Sequence, residues 1–263
     1  MIAVFKHELK LNLKSLLIWS LSVGGMGFVC ILMYTSMEGE MANMADTFSN
    51  LGAFSEAFGM STLSIATISG FFATEVGVVH GLGSAMFSAL MATVLLSKEE
   101  DGHTGEFLYS LPVSRGSAVT AKILSLVSEL ALFTLICGAF YVAGFIALGE
   151  DVPVSDMTTF LLRMLVMNME VSAVALVISA ASAKNRIGTG LGISLIFYAY
   201  DLVGRVVPDM KDWLFLGPFS LANASEIFAG YELPVKAVVT ALIVTAFSVV
   251  ATFGIYLKKD LAA

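Results

Sequence analysis

Several ionisable side chains lie within or at the ends of long apolar stretches, and they are the first candidates for chemistry. They are Glu75, His80, Glu129, Arg163, Glu170 and Asp201. A lone charge at the centre of a bilayer costs about 2.5–3.5 kcal/mol even on lenient scales. Each of these groups is therefore expected to face protein or water, either in a structural pair or in contact with a transported substrate.

Depth along the stretches divides these residues into two groups. Arg163 and Asp201 both lie toward the same side of neighbouring stretches, so we expect an ion pair between them. Glu129 and Glu170 lie nearer the middle of their stretches and have no obvious basic partner. They are either protonated or line a water-filled path. The candidates for a translocation path are Glu75, His80, Glu129 and Glu170.

The chain carries little that supports enzyme or metal chemistry. It has three histidines and neither a His-Glu-x-x-His nor a Gly-x-Ser-x-Gly motif. Glu99 and Glu100 are adjacent, as in some membrane proteases, but the later Arg and His that such sites need are missing. Cys30 and Cys137 fall in apolar stretches and read as small hydrophobic side chains. We expect no catalytic residues, no metal and no enzyme activity in this chain.

Composition places these residues in a membrane protein. The chain is 57% hydrophobic and 13% charged, whereas soluble domains are about 25% charged. Its net charge of −7 and lack of a basic stripe exclude a nucleic-acid partner. A helix needs about 20 apolar residues to cross a bilayer. The stretches of that length cover residues 16–36, 76–97, 123–148, 158–183, 187–207 and 235–257.

We therefore predict an all-α polytopic fold of six spans in one transmembrane domain, residues 1–263. The five prolines lie between or at the edges of the stretches, which indicates unbroken helices. Residues 37–75 are expected to form an outer loop. The apolar region begins near Met60, so residues 61–74 are predicted as an interfacial or re-entrant piece.

The basic residues set the orientation, because short cytoplasmic loops carry the excess of Lys and Arg. If the spans alternate, most of them fall on one side: Lys6, Lys10, Lys14, Lys98, Arg115, Lys122, Lys184, Arg186, Lys258 and Lys259. Both termini are then cytoplasmic, in a plasma membrane. Residues 1–15 have an apolar stripe beside lysines and predict an interfacial elbow helix that turns into the first span. The alternative is that the first span starts early and its lysines snorkel.

The connection after the second span, residues 98–117, has a distinctive order of residue types. Acidic residues come first, Thr104 caps a predicted short helix whose apolar face includes Phe107 and Leu108, and Pro112 ends it before Arg115. A short amphipathic helix at the membrane surface suits docking into a groove on a cytoplasmic partner.

This connection, with its Leu-Pro-Val-Ser-Arg end and the Lys122 that follows, resembles that of ABC-2 type ABC transporter permeases. The resemblance implies six spans, an elbow helix, a second permease copy and separate ABC ATPase subunits that carry ATP and Mg. No Gly-x-x-x-x-Gly-Lys-Ser/Thr loop occurs here, so no cofactor is expected in this chain. The resemblance also implies which residues couple to the ATPase: Glu99, Glu100, Gly102, His103, Glu106, Phe107, Leu108, Pro112 and Arg115.

The resemblance favours export of a hydrophobic or amphipathic cargo, such as a peptide, an antibiotic or a lipid. The alternative from another class is an ion-coupled secondary transporter that uses the buried carboxylates as a relay. The unbroken spans and the absence of an inverted repeat in the sequence count against that alternative.

Overall fold

The computed structural model describes residues 1–105 and 112–260, and these residues contain helices and no strands. Six helices are long and apolar enough to cross a membrane. They are α1 (Ile2–Ser49), α2 (Ile68–Leu95), α3 (Arg115–Leu148), α4 (Val154–Ala181), α5 (Ile187–Val206) and α6 (Val235–Lys258). The prediction of an all-α polytopic fold with six spans is confirmed.

Helix α1 is longer than the sequence analysis predicted. Its 48 residues extend about 72 Å at 1.5 Å per residue, against a hydrocarbon core of about 30 Å. The predicted elbow helix, residues 1–15, continues into the first span without a turn, because no proline interrupts the chain there. The expected turn after residue 15 is therefore wrong. At its other end α1 takes in residues 37–49 of the predicted outer loop.

The rest of that predicted outer loop is also shorter than expected. A short helix, Ala53–Phe58, follows α1, and α2 already begins at Ile68. The Thr67 hydroxyl caps α2 by accepting a bond from the Gly70 N–H at 3.1 Å. A π-helical turn at Phe72–Val76 lies inside α2. The ambiguous segment 61–74 is thus divided between a connection and the first turns of α2.

Helix boundaries follow from local residue types. All five prolines lie outside the six long helices, as predicted, and Pro153 and Pro234 immediately precede α4 and α6. The Ser114 hydroxyl caps α3, and Gly149, at φ +76°, ends it in the left-handed conformation that glycine adopts without strain.

The core lies between α1, α2, α3 and α4 and is rich in aromatic rings. Phe72 is fully buried and its ring lies 5.1–5.8 Å from the rings of Tyr141, Phe145, Phe160 and Phe228. Small residues allow the helices to approach closely. A Cβ atom added at Gly27 would lie 2.4 Å from the Tyr141 ring, so α1 and α3 could not pack as they do with a larger residue there.

The connection between α5 and α6 folds back onto the bundle. It contains four short helical segments: Pro208–Lys211, Leu214–Leu216, Pro218–Leu221 and Ala224–Phe228. Phe219 and Phe228 are buried in the main core, and Phe219 packs edge-on against Tyr198 of α5. This connection therefore closes one end of the bundle.

Candidate functional site

Lys122 of α3 is at the centre of a buried group of charges. Its ammonium is almost fully buried, with its side chain 1% exposed, and it lies 3.0 Å from a Glu8 carboxylate oxygen of α1. It also binds the Glu99 carboxylate and donates to the Leu95 carbonyl at 3.0 Å. Lys98 binds the same Glu8 carboxylate. We call Glu8, Lys98, Glu99 and Lys122 the lysine–glutamate cluster.

The cluster balances its formal charges, with two lysines and two glutamates. Buried charges are expensive unless they are paired, and removing one partner of a buried pair costs about 3–5 kcal/mol. The cluster therefore holds α1, α3 and the end of α2 in one fixed arrangement.

A second group of contacts joins the end of α6 to the same region. The Lys259 ammonium lies 2.5 Å from a Glu100 carboxylate oxygen and donates to the Ser182 carbonyl at 2.8 Å. The Arg115 guanidinium donates to the Lys259 carbonyl at 2.8 Å. We call Glu100, Arg115, Ser182 and Lys259 the Lys259 clasp.

Asn185 completes this end of the bundle. Its side-chain carbonyl accepts a bond from the Ser97 hydroxyl at 3.2 Å, and its amide donates to the Asp101 carboxylate at 2.8 Å. The starts of α1 and α3, the ends of α2, α4 and α6, and the 182–185 connection therefore lie together. The alternation of six spans predicted this grouping.

The predicted coupling residues have different outcomes. Glu99 and Glu100 were expected to couple to the ATPase, but both are buried and paired with lysines of this chain, so their carboxylates do not face a docking partner directly. The reason is that their short helix, Lys98–Asp101, packs against the bundle. Their part in coupling stays a prediction. Gly102, His103 and Pro112 are exposed. Glu106, Phe107 and Leu108 lie outside the described residues.

The four candidates for a translocation path do not converge on one cavity. The Glu129 carboxylate accepts a bond from the Asn12 amide at 3.0 Å, beside the lysine–glutamate cluster. His80 is buried among aromatic rings, with Nδ1 2.7 Å from the Tyr141 hydroxyl. Glu75 is exposed in the π-helical turn, whereas Glu170 is buried on α4. A translocation path that includes all four residues stays a prediction.

The predicted ion pair between Arg163 and Asp201 is wrong. Asp201 instead pairs with Arg205, whose Nη2 and Nε lie 2.6 and 2.8 Å from one carboxylate oxygen. Residues four apart are neighbours on one face of a helix, so Arg205 reaches Asp201 without any tertiary contact. Among the described residues, the buried Nε of Arg163 has no hydrogen-bond partner.

Two cavities with charged residues in their walls lie at the end of the bundle away from the lysine–glutamate cluster. A pocket of about 390 Å³ and a neighbouring one of about 240 Å³ share the residues Arg205, Lys211, Leu214, Asn223 and Glu226. Lys211 is half exposed and pairs with Glu56 at 3.0 Å. Charged side chains at this end therefore line cavities, whereas those of the lysine–glutamate cluster are buried in ion pairs.

Comparison with known families decides the class of this protein. The family model described as "ABC-2 family transporter protein" matches residues 2–261. The chain belongs to the ABC-2 transporter family. The resemblance found in the sequence is confirmed, and membership implies association with an ABC ATPase subunit. A search of curated proteins found no match.

This ABC-2 chain contains functional candidates that sequence reasoning missed. Glu8, Lys98, Lys122 and Lys259 form the buried contacts described above. The sequence analysis used the lysines to set orientation, and Lys122 also as part of the resemblance, but predicted no pairing for them. One signal was present, because Glu8 is the single acidic residue in the lysine-rich segment at the start of α1. In the ranges 1–105 and 112–260, no group of three His, Cys, Asp or Glu side chains is placed to hold a metal ion.

Proposed function

We propose that this chain is the permease subunit of an ATP-driven exporter in the plasma membrane. Separate ATPase subunits bind ATP and Mg and press on the connection between α2 and α3. The observation that carries the proposal is how this connection is anchored. Its first residues bind α3 through Glu99 and the end of α6 through Glu100, so a push on the connection reaches several helices at once.

The proposed orientation places the lysine–glutamate cluster and both termini on the cytoplasmic side. The support is that basic residues are in excess in short cytoplasmic loops. Lys98, Lys122 and Lys259 all lie at the cluster end, near the connection that carries Lys184 and Arg186. ATP is available on that side of the plasma membrane, where the coupling residues would meet the ATPase.

We propose that the permease works as a homodimer. The apolar faces of α5 and α6 are uncovered in one copy, with Ile196 and Phe247 among the most exposed large side chains. A Cβ atom at Gly188 or Gly192 of α5 would meet nothing within 4 Å, so this face allows close approach of another helix. The rest of the uncovered surface would contact membrane lipid.

The proposed cargo is hydrophobic or amphipathic: a peptide, an antibiotic or a lipid. An apolar groove of about 450 Å³ between α3 and α4 supports this class. Leucines line it, including Leu135, Leu161 and Leu165, and its walls carry no ionisable side chain. Cargo with an apolar segment could therefore enter from the bilayer without passing through water.

The double variant Glu106→Ala with Pro112→Gly tests the proposed coupling. The complex would be purified from native membranes with its ATPase, reconstituted in liposomes, and assayed for ATP hydrolysis and for export of a fluorescent phospholipid and a fluorescent amphipathic peptide. We expect hydrolysis to continue while export per ATP falls, because the connection no longer transmits the push.

The matched control is Glu150→Ala with Asp151→Ala, two exposed acidic residues in the connection between α3 and α4. Export per ATP should be unchanged in this control. Normal coupling in the Glu106/Pro112 variant would contradict the proposal. Transport that requires a proton gradient and no ATP would instead support the ion-coupled secondary transporter.

A further inference from the structure

Helix α6 is the most peripheral of the six long helices. Only 17% of its apolar 18-residue segment is buried, the lowest share among the six helices. The residues that it buries lie on one narrow face: Ala237, Ala241, Ser248, Thr252 and Tyr256. Within one copy, packing along its length therefore constrains α6 less than it constrains the other helices.

The end of α6 is held by a different kind of contact. The helix ends at Lys258, and Lys259 then adopts an extended conformation that directs the chain into the Lys259 clasp. Its ammonium binds Glu100 of the short helix Lys98–Asp101 and the Ser182 carbonyl at the end of α4, while its carbonyl accepts from Arg115 at the start of α3. One residue thus joins α6 to three other segments.

Burial strengthens the ion pair between Lys259 and Glu100. The Lys259 side chain is 16% exposed and the Glu100 side chain 2% exposed, so water competes poorly for either charge. Two unlike charges at this distance in a poorly hydrated site resist separation much more than an exposed pair does. A displacement of the Lys98–Asp101 helix is therefore expected to pull the end of α6 along with it.

We infer that Lys259 is a positioning residue that links α6 to the ATPase-driven movement of the connection between α2 and α3. The inference rests on the proposed function, because it requires an ATPase to move that connection. In this arrangement α1 and α3 follow the connection through the lysine–glutamate cluster, and α6 follows it through Lys259.

The test measures the movement of α6 directly and needs no knowledge of the cargo. Spin labels would be placed at Ile243 of α6 and Leu162 of α4, both exposed and each eight residues from the start of its helix. Cys30 and Cys137 would first be replaced by Ser. Distances between the labels would be recorded in the reconstituted complex with its ATPase, with and without ATP and vanadate.

We expect the wild-type complex to show an ATP-dependent change in this distance and Lys259→Met to lose it while still hydrolysing ATP. The matched control is Lys258→Met, which removes the neighbouring exposed lysine and should keep the full change. The exchange of charges in Lys259→Glu with Glu100→Lys keeps the ion pair but loses the bond to the Ser182 carbonyl. It should restore most of the movement, a result that a general loss of stability would not give.

Either an unchanged distance response in Lys259→Met or a failure of the charge exchange to restore movement would overturn the inference and leave the proposed function intact. If Lys259→Met does not fold, the charge-exchange variant alone decides, because it retains a buried pair. Absence of any ATPase from the purified wild-type complex would overturn the proposed function and the inference together.

Discussion

The two ends of the bundle use charged residues in different ways. At the cluster end, buried ion pairs join residues that are far apart in sequence, such as Glu8 with Lys98 and Glu100 with Lys259. At the opposite end, Asp201 pairs with Arg205 on the same helix, and the pair between Glu56 and Lys211 is exposed. At the cluster end, ion pairs connect different helices. The opposite end contains water-accessible pockets.

This contrast suggests how the helices share the work of a transporter. Buried pairs between helices impose large costs when they are broken, so the cluster end should move as a unit. Local and exposed pairs leave neighbouring helices free to separate at small cost. The end with the pockets is therefore the part of the bundle better suited to opening.

The largest expected effect comes from breaking the cluster end. Lys122→Met removes the ammonium between Glu8 and Glu99 and leaves two buried carboxylates without it. The free energy of unfolding should fall by about 3–5 kcal/mol, because uncompensated buried charge is costly. Thermal unfolding of the purified protein in detergent, followed by fluorescence, measures the loss.

The matched control at the opposite end is Lys211→Met. This lysine is about half exposed, and pairs of that kind contribute about 0–1 kcal/mol. Equal losses from Lys122→Met and Lys211→Met would show that the two ends do not differ in the way described here.

A smaller effect is expected from helix packing near the cluster end. A Cβ atom at Gly190 of α5 would lie 2.5 Å from the Thr93 hydroxyl oxygen and 3.0 Å from the Ala89 carbonyl oxygen of α2. Gly190→Leu should therefore force α5 away from α2 and lower stability by about 1–3 kcal/mol. The same unfolding assay applies.

Gly192→Leu is the control for this packing prediction, since a Cβ atom there meets nothing within 4 Å in a single copy. It should leave the stability of the monomer unchanged. If the homodimer forms through this face, Gly192→Leu should weaken the association of two copies, as measured by native mass spectrometry. Gly190→Leu should instead lower the free energy of unfolding.

The smallest of the three effects is expected at the end with the pockets. Asp201→Asn removes the charge that faces Arg205 but keeps a side-chain oxygen that can accept from its guanidinium, so the contact is weakened rather than lost. The expected loss of stability is about 1–1.5 kcal/mol, the difference between a hydrogen bond to a charged group and one to a neutral group. Asp212→Asn, at an exposed residue that lines one of the pockets, should cost nothing measurable. A loss from Asp201→Asn as large as that from Lys122→Met would contradict the contrast between the ends.

Much of the fold could be predicted because lipid imposes a simple rule on sequence. A spanning helix must be apolar over about 20 residues, and prolines are excluded from helix interiors, so the six spans and their unbroken form were predicted correctly. The elbow helix was mispredicted at its junction, since amphipathicity does not determine whether a helix bends where it meets the membrane.

The pairing of buried charges was harder to predict. Arg163 and Asp201 are at similar depth, yet Asp201 pairs with Arg205 because neighbours four apart on a helix meet without any tertiary packing. Glu99 and Glu100 were assigned to coupling because of the resemblance of their connection to that of ABC-2 permeases. Only the packing of the Lys98–Asp101 helix shows that both carboxylates bind lysines of distant helices.

The sequence by itself determined that this chain lies in a membrane, crosses it with six helices and belongs with the ABC-2 transporters. These properties depend on hydropathy, on proline positions and on one connection, all of which are local along the chain. The tertiary structure decided which charges meet, because an ion pair depends on distance and on exclusion of water, and residues as far apart as Glu100 and Lys259 acquire both only when the helices pack.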